Sequence, residues 1–220
     1  MKMTNPLVWK ACWRTAFGNQ KLTNKICSDA YVLDSSCALF PMQLMKVQYS
    51  RLKAIQSLLQ DSQLNQTKIV LVVRDPRATI NSRLSAGSIR WSHQQIDRNN
   101  SVQLCNDLNN DLDEYAQLSR LYPDRVILIK YESLIVAPQV TFKSLFDFVG
   151  FPLTMAVQQK IANATRDSLN YVPFTGDRTV MLRHADRWRR VLSQKQIDLI
   201  ENDCDVVLKR LEYPLNATLS

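Results

Sequence analysis

Lys68-Ile-Val-Leu-Val-Val-Arg-Asp-Pro-Arg-Ala-Thr-Ile-Asn-Ser-Arg83 is the stretch whose reading decides the fold of this 220-residue chain. The apolar run Ile69 to Val73 is short, rich in β-branched residues and stopped by Arg74-Asp75-Pro76. That pattern predicts a buried strand. Asp75 suits a helix N-cap and Pro76 the first helical position, so a helix is expected from Pro76 to about Leu84. Arg74 then stands at the carboxyl end of a strand, where open α/β sheets bind their ligands. Ser82 follows about two helical turns later, between Asn81 and Arg83. A guanidinium and a hydroxyl so placed suit a shared phosphate.

Outward from this unit, helical spacing is expected in Arg51 to Leu59 and in Ser101 to Leu121. In the second, Val102, Cys105, Leu108, Leu112, Tyr115, Leu118 and Leu121 share one side. Val126 to Ile129 reads as a second strand. Helices are expected over Val140 to Val149, closed by Gly150, over Met155 to Ala164, and from Ser193 on, with Ile197, Ile200, Cys204, Val207 and Leu211 in line. Leu44 to Gln48 suggests a short strand. Residues 1–24 are poorly defined, and 85–100 and 165–187 read as polar connections. Strands alternating with helices predict α/β with a parallel sheet in one domain spanning 1–220.

Lys and Arg number 28 against 20 Asp and Glu, a net charge of +8 at pH 7. This balance favours anionic partners, among them nucleotides, acidic or sulfated glycans, nucleic acid and anionic lipid, or else a generally basic surface. The apolar runs fall short of the roughly 18 residues that a membrane span needs, and no signal-peptide pattern follows Met1. Five cysteines without a Cys-x-x-Cys, and only His93 and His184, argue against a zinc site.

Arg74-Asp-Pro-Arg-Ala78 followed by Asn81-Ser-Arg83 resembles the 3′-phosphate motif of the carbohydrate sulfotransferases, Golgi enzymes that sulfate the 6-hydroxyl of galactose, N-acetylglucosamine or N-acetylgalactosamine. Ile129-Lys-Tyr-Glu-Ser-Leu134 with Pro138, Phe146 to Phe151, Arg178, Trp188-Arg189, Ile197 to Cys204 and Leu211-Glu-Tyr213 are similar to later segments of that family. The resemblance covers roughly residues 25–213. It implies a P-loop-NTPase-like, three-layer α/β sandwich and sulfuryl transfer from 3′-phosphoadenosine 5′-phosphosulfate (PAPS) to a glycan hydroxyl. The implied acceptor is galactose or N-acetylhexosamine, with no metal and no nucleic-acid partner. It also implies a Golgi-lumenal location and, for a full-length enzyme, a type II membrane anchor. The family's Gly/Ser-rich phosphosulfate loop has no counterpart: Gly18, Gly87, Gly150 and Gly176 are the only glycines, and none lies in a Ser-rich turn after a strand. The expectation is therefore a chain without the first βα unit or the anchor, weakly active or inactive; a basic, non-catalytic anion- or glycan-binding protein is the alternative.

The resemblance maps Arg74 and Ser82 onto the ligands of the donor's 3′-phosphate; otherwise they read as a strand-end Arg paired with a carboxylate and a solvent-facing Ser. Lys46 matches a cation near the transferring sulfuryl group, or is a surface Lys; Gln48 stands where some relatives keep a His base. Arg178 matches an Arg that closes over the donor, supported by Trp188 and Arg189. The competing reading is a basic exposed loop with Trp188 packed on the core. Arg77 and Arg83 are open between acceptor, donor and solvent. His93 reads as a loop residue, and Glu132 as fixing local structure. Sequons at Asn65, Asn99, Asn163 and Asn216 lean towards a secretory history. In an oxidising lumen the expected disulfides are Cys27 with Cys37 and Cys105 with Cys204, leaving Cys12; in the cytosol all five would be buried thiols.

Overall fold

The computed structural model describes residues 21, 42–47, 50–85, 98–164 and 185–215. The chain divides into two compact units, 1–49 and 50–220. In the first, residues 42–47 form no regular element. The strand expected from Leu44 is thus absent over 44–47. The apolar side chains there are not packed, Leu44 being 89% exposed, and a strand gains its stability from packing on a pleated surface.

The second unit is built around two parallel strands, β1 (Ile69–Val73) and β2 (Val126–Lys130). Their register pairs Ile69 with Val126 and Val73 with Lys130. Parallel pairing requires a long crossover. It is supplied by α1 (Pro76–Ser85) and the 24-residue α2 (Arg98–Leu121). At 1.5 Å per residue α2 is about 36 Å long. Its inward face carries Cys105, Leu112 and Leu118; Leu121, expected on that face, is 66% exposed at the helix end.

Upstream of β1, the helix expected over Arg51 to Leu59 is two single turns, Leu52–Ile55 and Ser57–Gln60, separated at Gln56. After β2 come α3 (Tyr131–Val136) and α4 (Pro138–Val149). Gly150, at φ 78°, closes α4: its N–H donates to the Phe146 carbonyl at 3.0 Å. Glycine is favoured at this position because a Cβ would be strained there. Next are α5 (Met155–Ala164), the short α6 (Trp188–Val191), α7 (Gln194–Asp203) and α8 (Asp205–Arg210). Ser193 opens α7 with a capping box, its N–H donating to Gln196 Oε1 at 2.8 Å. The single helix expected from Ser193 to Leu211 is broken at Cys204, whose φ of −112° and ψ of 10° lie outside the helical range. Cys204 is tied to Cys105 by a disulfide, Cα to Cα 5.3 Å, the pairing expected from the sequence. Cys12, Cys27 and Cys37 lie outside the described residues.

Two apolar clusters flank the strands. One gathers Leu52, Leu59, Ile69, Leu118 and Val126 at the amino ends of β1 and β2. The other gathers Val73 and Ile80 with Trp188, Ile197, Ile200, Leu208 and the disulfide, behind the carboxyl end of β1. The second cluster is the floor beneath the strand-end turn.

Candidate functional site

The site is a strand–turn–helix unit. β1 ends at Val73 beside Lys130 of β2, so the next residues, Arg74 and Tyr131, leave the sheet together. The Arg74 guanidinium lies over the Tyr131 ring, 4.7 Å from its centroid, a cation–π contact that orients it. Arg74 is partly exposed, so a ligand can reach it.

Asp75 caps α1. Its Oδ1 accepts the Arg77 N–H at 2.8 Å, and its carbonyl accepts the Thr79 N–H at 2.9 Å. Pro76 holds the first helical position, where a missing N–H costs nothing. The Asp75 N–H donates to Glu132 Oε1 at 3.1 Å, and the Tyr213 hydroxyl donates to Glu132 Oε2 at 2.6 Å. Glu132 therefore fixes local structure, as expected. Burial first, and the Glu132 carboxylate second, hold the Tyr213 hydroxyl protonated well above the usual tyrosine range.

Arg77 corrects its open reading: it faces neither ligand nor solvent but is 0% exposed. Its Nε and Nη2 grip the Asp75 carboxylate at 3.0 and 2.8 Å, and its Nη1 donates to Glu201 Oε1 and to the Pro214 carbonyl, the latter at 2.8 Å. Its guanidinium lies 4.3 Å from the Trp188 ring. Burial opposes the Arg77 charge, but Asp75 and Glu201 more than offset that and raise its pKa. Trp188, 2% exposed, packs in the core as the competing reading had it. Arg189 lies over the same ring at 4.4 Å.

Ser82 lies on α1 and is exposed, between buried Asn81 and partly buried Arg83. Lys46 is exposed and belongs to the unit 1–49. Arg178, His93 and Gln48 lie outside the described residues. Glu201 and Tyr213 were not singled out as site residues. Glu201 could have been found: it follows Ile197 by four and precedes Cys204 by three, which puts a carboxylate on the apolar face of α7. Among the described residues no cluster of His, Cys, Asp or Glu suits a metal ion, and no helix is long and apolar enough to cross a membrane.

Residues 50–155 match the profile of the Sulfotransferase family. This stretch is a sulfotransferase-family domain. Carbohydrate sulfotransferase 7 of Rattus norvegicus is 28% identical over 229 residues, which cover 83% of this chain and 46% of that protein. Carbohydrate sulfotransferase 1 of Homo sapiens is 26% identical over 181 residues, 74% of this chain and 43% of that protein. Carbohydrate sulfotransferase 3 of Tetronarce californica is 25% identical over 176 residues, 75% and 40%. The matches span less than half the length of these three relatives. The sulfotransferase-family domain includes Arg74, Asp75, Arg77, Ser82 and Glu132; Trp188, Glu201, Tyr213 and Pro214 lie beyond its last matched residue.

Proposed function

We propose that this chain binds PAPS and serves sulfuryl transfer to a hydroxyl, the 6-hydroxyl, of a galactose or N-acetylhexosamine residue in a glycan. In that reaction the acceptor oxygen attacks sulfur in line. An S–O bond forms, the S–O bond to the nucleotide phosphate breaks, and adenosine 3′,5′-bisphosphate leaves; the hydroxyl proton passes to a base. Positioning and cationic stabilisation carry such chemistry, as in phosphoryl transfer.

The observation that carries the reading is Arg74, held against Tyr131 at the carboxyl end of β1, one residue before the Asp75 cap of α1, inside a sulfotransferase-family domain. On this reading Arg74 and Ser82 take the 3′-phosphate, and Arg178 closes over the donor. A role for Lys46 near the sulfuryl group rests on the resemblance alone, and the strand expected to carry it is absent over 44–47. The Cys105–Cys204 disulfide supports an oxidising compartment such as the Golgi lumen.

One observation favours a second reading. The sequence has no Gly/Ser-rich turn to hold a 5′-phosphosulfate, which fits an anion-binding protein with little turnover. Incubating the chain with radiolabelled PAPS and acceptors ending in galactose, N-acetylglucosamine or N-acetylgalactosamine separates the two. Labelled glycan, lost in Arg74→Ala, supports the enzyme. Retention of adenosine 3′,5′-bisphosphate with turnover near background supports a weakly active or inactive sulfotransferase, since a general anion or glycan binder should not select the 3′-phosphate. Neither product nor nucleotide binding refutes the sulfotransferase reading and favours the anion- or glycan-binding alternative.

A further inference from the structure

The turn that presents Arg74 is completed by residues far outside the matched sulfotransferase-family stretch. We propose that Arg77, together with Glu201 and Tyr213, forms a positioning device that sets the backbone of Arg74 for an incoming 3′-phosphate. This inference rests on the reading of Arg74 as the phosphate ligand.

A strand-end side chain has a defined position only if the backbone on both sides of it is fixed. On the amino side Val73 is held in register with Lys130. On the carboxyl side every polar group of Asp75 is engaged. Its N–H meets Glu132, its carbonyl meets the Thr79 N–H, and its carboxylate takes the Arg77 N–H and guanidinium. The groups that hold Asp75 are held in turn from the C-terminal part of the chain. Glu132 receives the Tyr213 hydroxyl, and the far corner of the Arg77 guanidinium is fixed by Glu201 and the Pro214 carbonyl.

Only a planar fork with several N–H donors reaches Asp75, Glu201 and Pro214 at once, which is why arginine and not lysine suits the position. Stability alone does not account for this arrangement. A buried ion triad gains little over well-packed apolar residues of the same volume. Buried ions can instead fix a single geometry, and here that geometry belongs to Asp75, the residue following Arg74.

The test compares adenosine 3′,5′-bisphosphate with adenosine 5′-monophosphate, which lacks the 3′-phosphate. Calorimetry on the whole chain gives a Kd for each, and a melting curve accompanies each protein. A loss of folded protein weakens both ligands alike, so the ratio of the two Kd values reports the 3′-phosphate contact and not stability. Wild type is expected to prefer the bisphosphate by about tenfold or more. Arg77→Lys and Glu201→Gln are expected to lose most of that preference while still melting cooperatively. Should Arg77→Lys not fold, Glu201→Gln and Tyr213→Phe carry the same expectation. A lower Tm with the preference intact makes these residues merely structural and overturns the proposal, leaving the proposed function standing. No preference in wild type overturns the proposed function itself, and the inference with it.

Discussion

The amino and carboxyl ends of β1 are each organised by one arginine, and the two arginines work in opposite ways. At the amino end Arg125 spreads its guanidinium over the carbonyls of Thr67, Leu59 and Leu64, each at 2.9 Å, and its own carbonyl accepts the Ile69 N–H at 2.7 Å. It is partly exposed and its partners are neutral. The carbonyls of Thr67 and Leu64, which are not buried, can turn to water if Arg125 is lost. At the carboxyl end Arg77 is sealed away with two carboxylates, Asp75 and Glu201. These are buried charges, and a buried charge that loses its counter-ion keeps much of its desolvation cost. The amino end is therefore a stitched loop that tolerates change, and the carboxyl end is a fixed frame around Arg74, the proposed phosphate ligand.

The covalent tie lies on the frame side, and breaking it gives the largest effect. Cys105 and Cys204 are 99 residues apart. Closing a loop of that size restricts the unfolded chain by about 4–5 kcal/mol in the chain-entropy account. Reduction should lower the denaturant midpoint accordingly. An unchanged midpoint under reductant removes the disulfide from the frame.

Arg77→Met comes next, at about 3–5 kcal/mol, because it takes the guanidinium away from the buried carboxylates of Asp75 and Glu201. Arg125→Met should cost less, about 1–2 kcal/mol for hydrogen bonds to groups that water can reach. Urea titration of both variants checks the ordering. If the Arg125 variant is the more damaged of the two, the comparison is wrong.

Tyr213→Phe gives the smallest and most specific effect. Its hydroxyl titrates near 10.0 when unfolded and higher when folded. A folded pKa above the unfolded one gives stability that is complete below about pH 10 and drains as pH rises past it. The wild type should lose stability above about pH 10 more steeply than Tyr213→Phe. Parallel losses would show that Tyr213 is not held neutral against Glu132.

Much of the frame was readable from local chemistry. The abrupt stop of Ile69 to Val73 at Arg74-Asp75-Pro76 gave β1, its end and the capped start of α1, because each signal there depends on neighbours in sequence. The Cys105–Cys204 pair was readable because both lie on apolar helix faces. The role of Arg77 was not. Its partners Glu201 and Pro214 lie 124 and 137 residues away, and no local pattern says that a basic residue points inward. Positions 44–47 misled for the complementary reason: apolar alternation was present, but a strand also needs a packed face, which sequence spacing does not supply. Gln56 and Cys204 interrupt helices whose periodicity runs through them unbroken, since periodicity records the buried face and not the backbone path.

The central claim is that Arg74, presented by this frame, takes the 3′-phosphate of an adenine nucleotide. Calorimetric titration of wild type and Arg74→Ala with adenosine 3′,5′-bisphosphate and with adenosine 5′-monophosphate tests it most directly. The account predicts that Arg74→Ala weakens the bisphosphate by about 1.5–3 kcal/mol, the range for a charge-assisted hydrogen bond, and leaves the monophosphate unchanged. Equal losses for both nucleotides, or no loss for either, would contradict it.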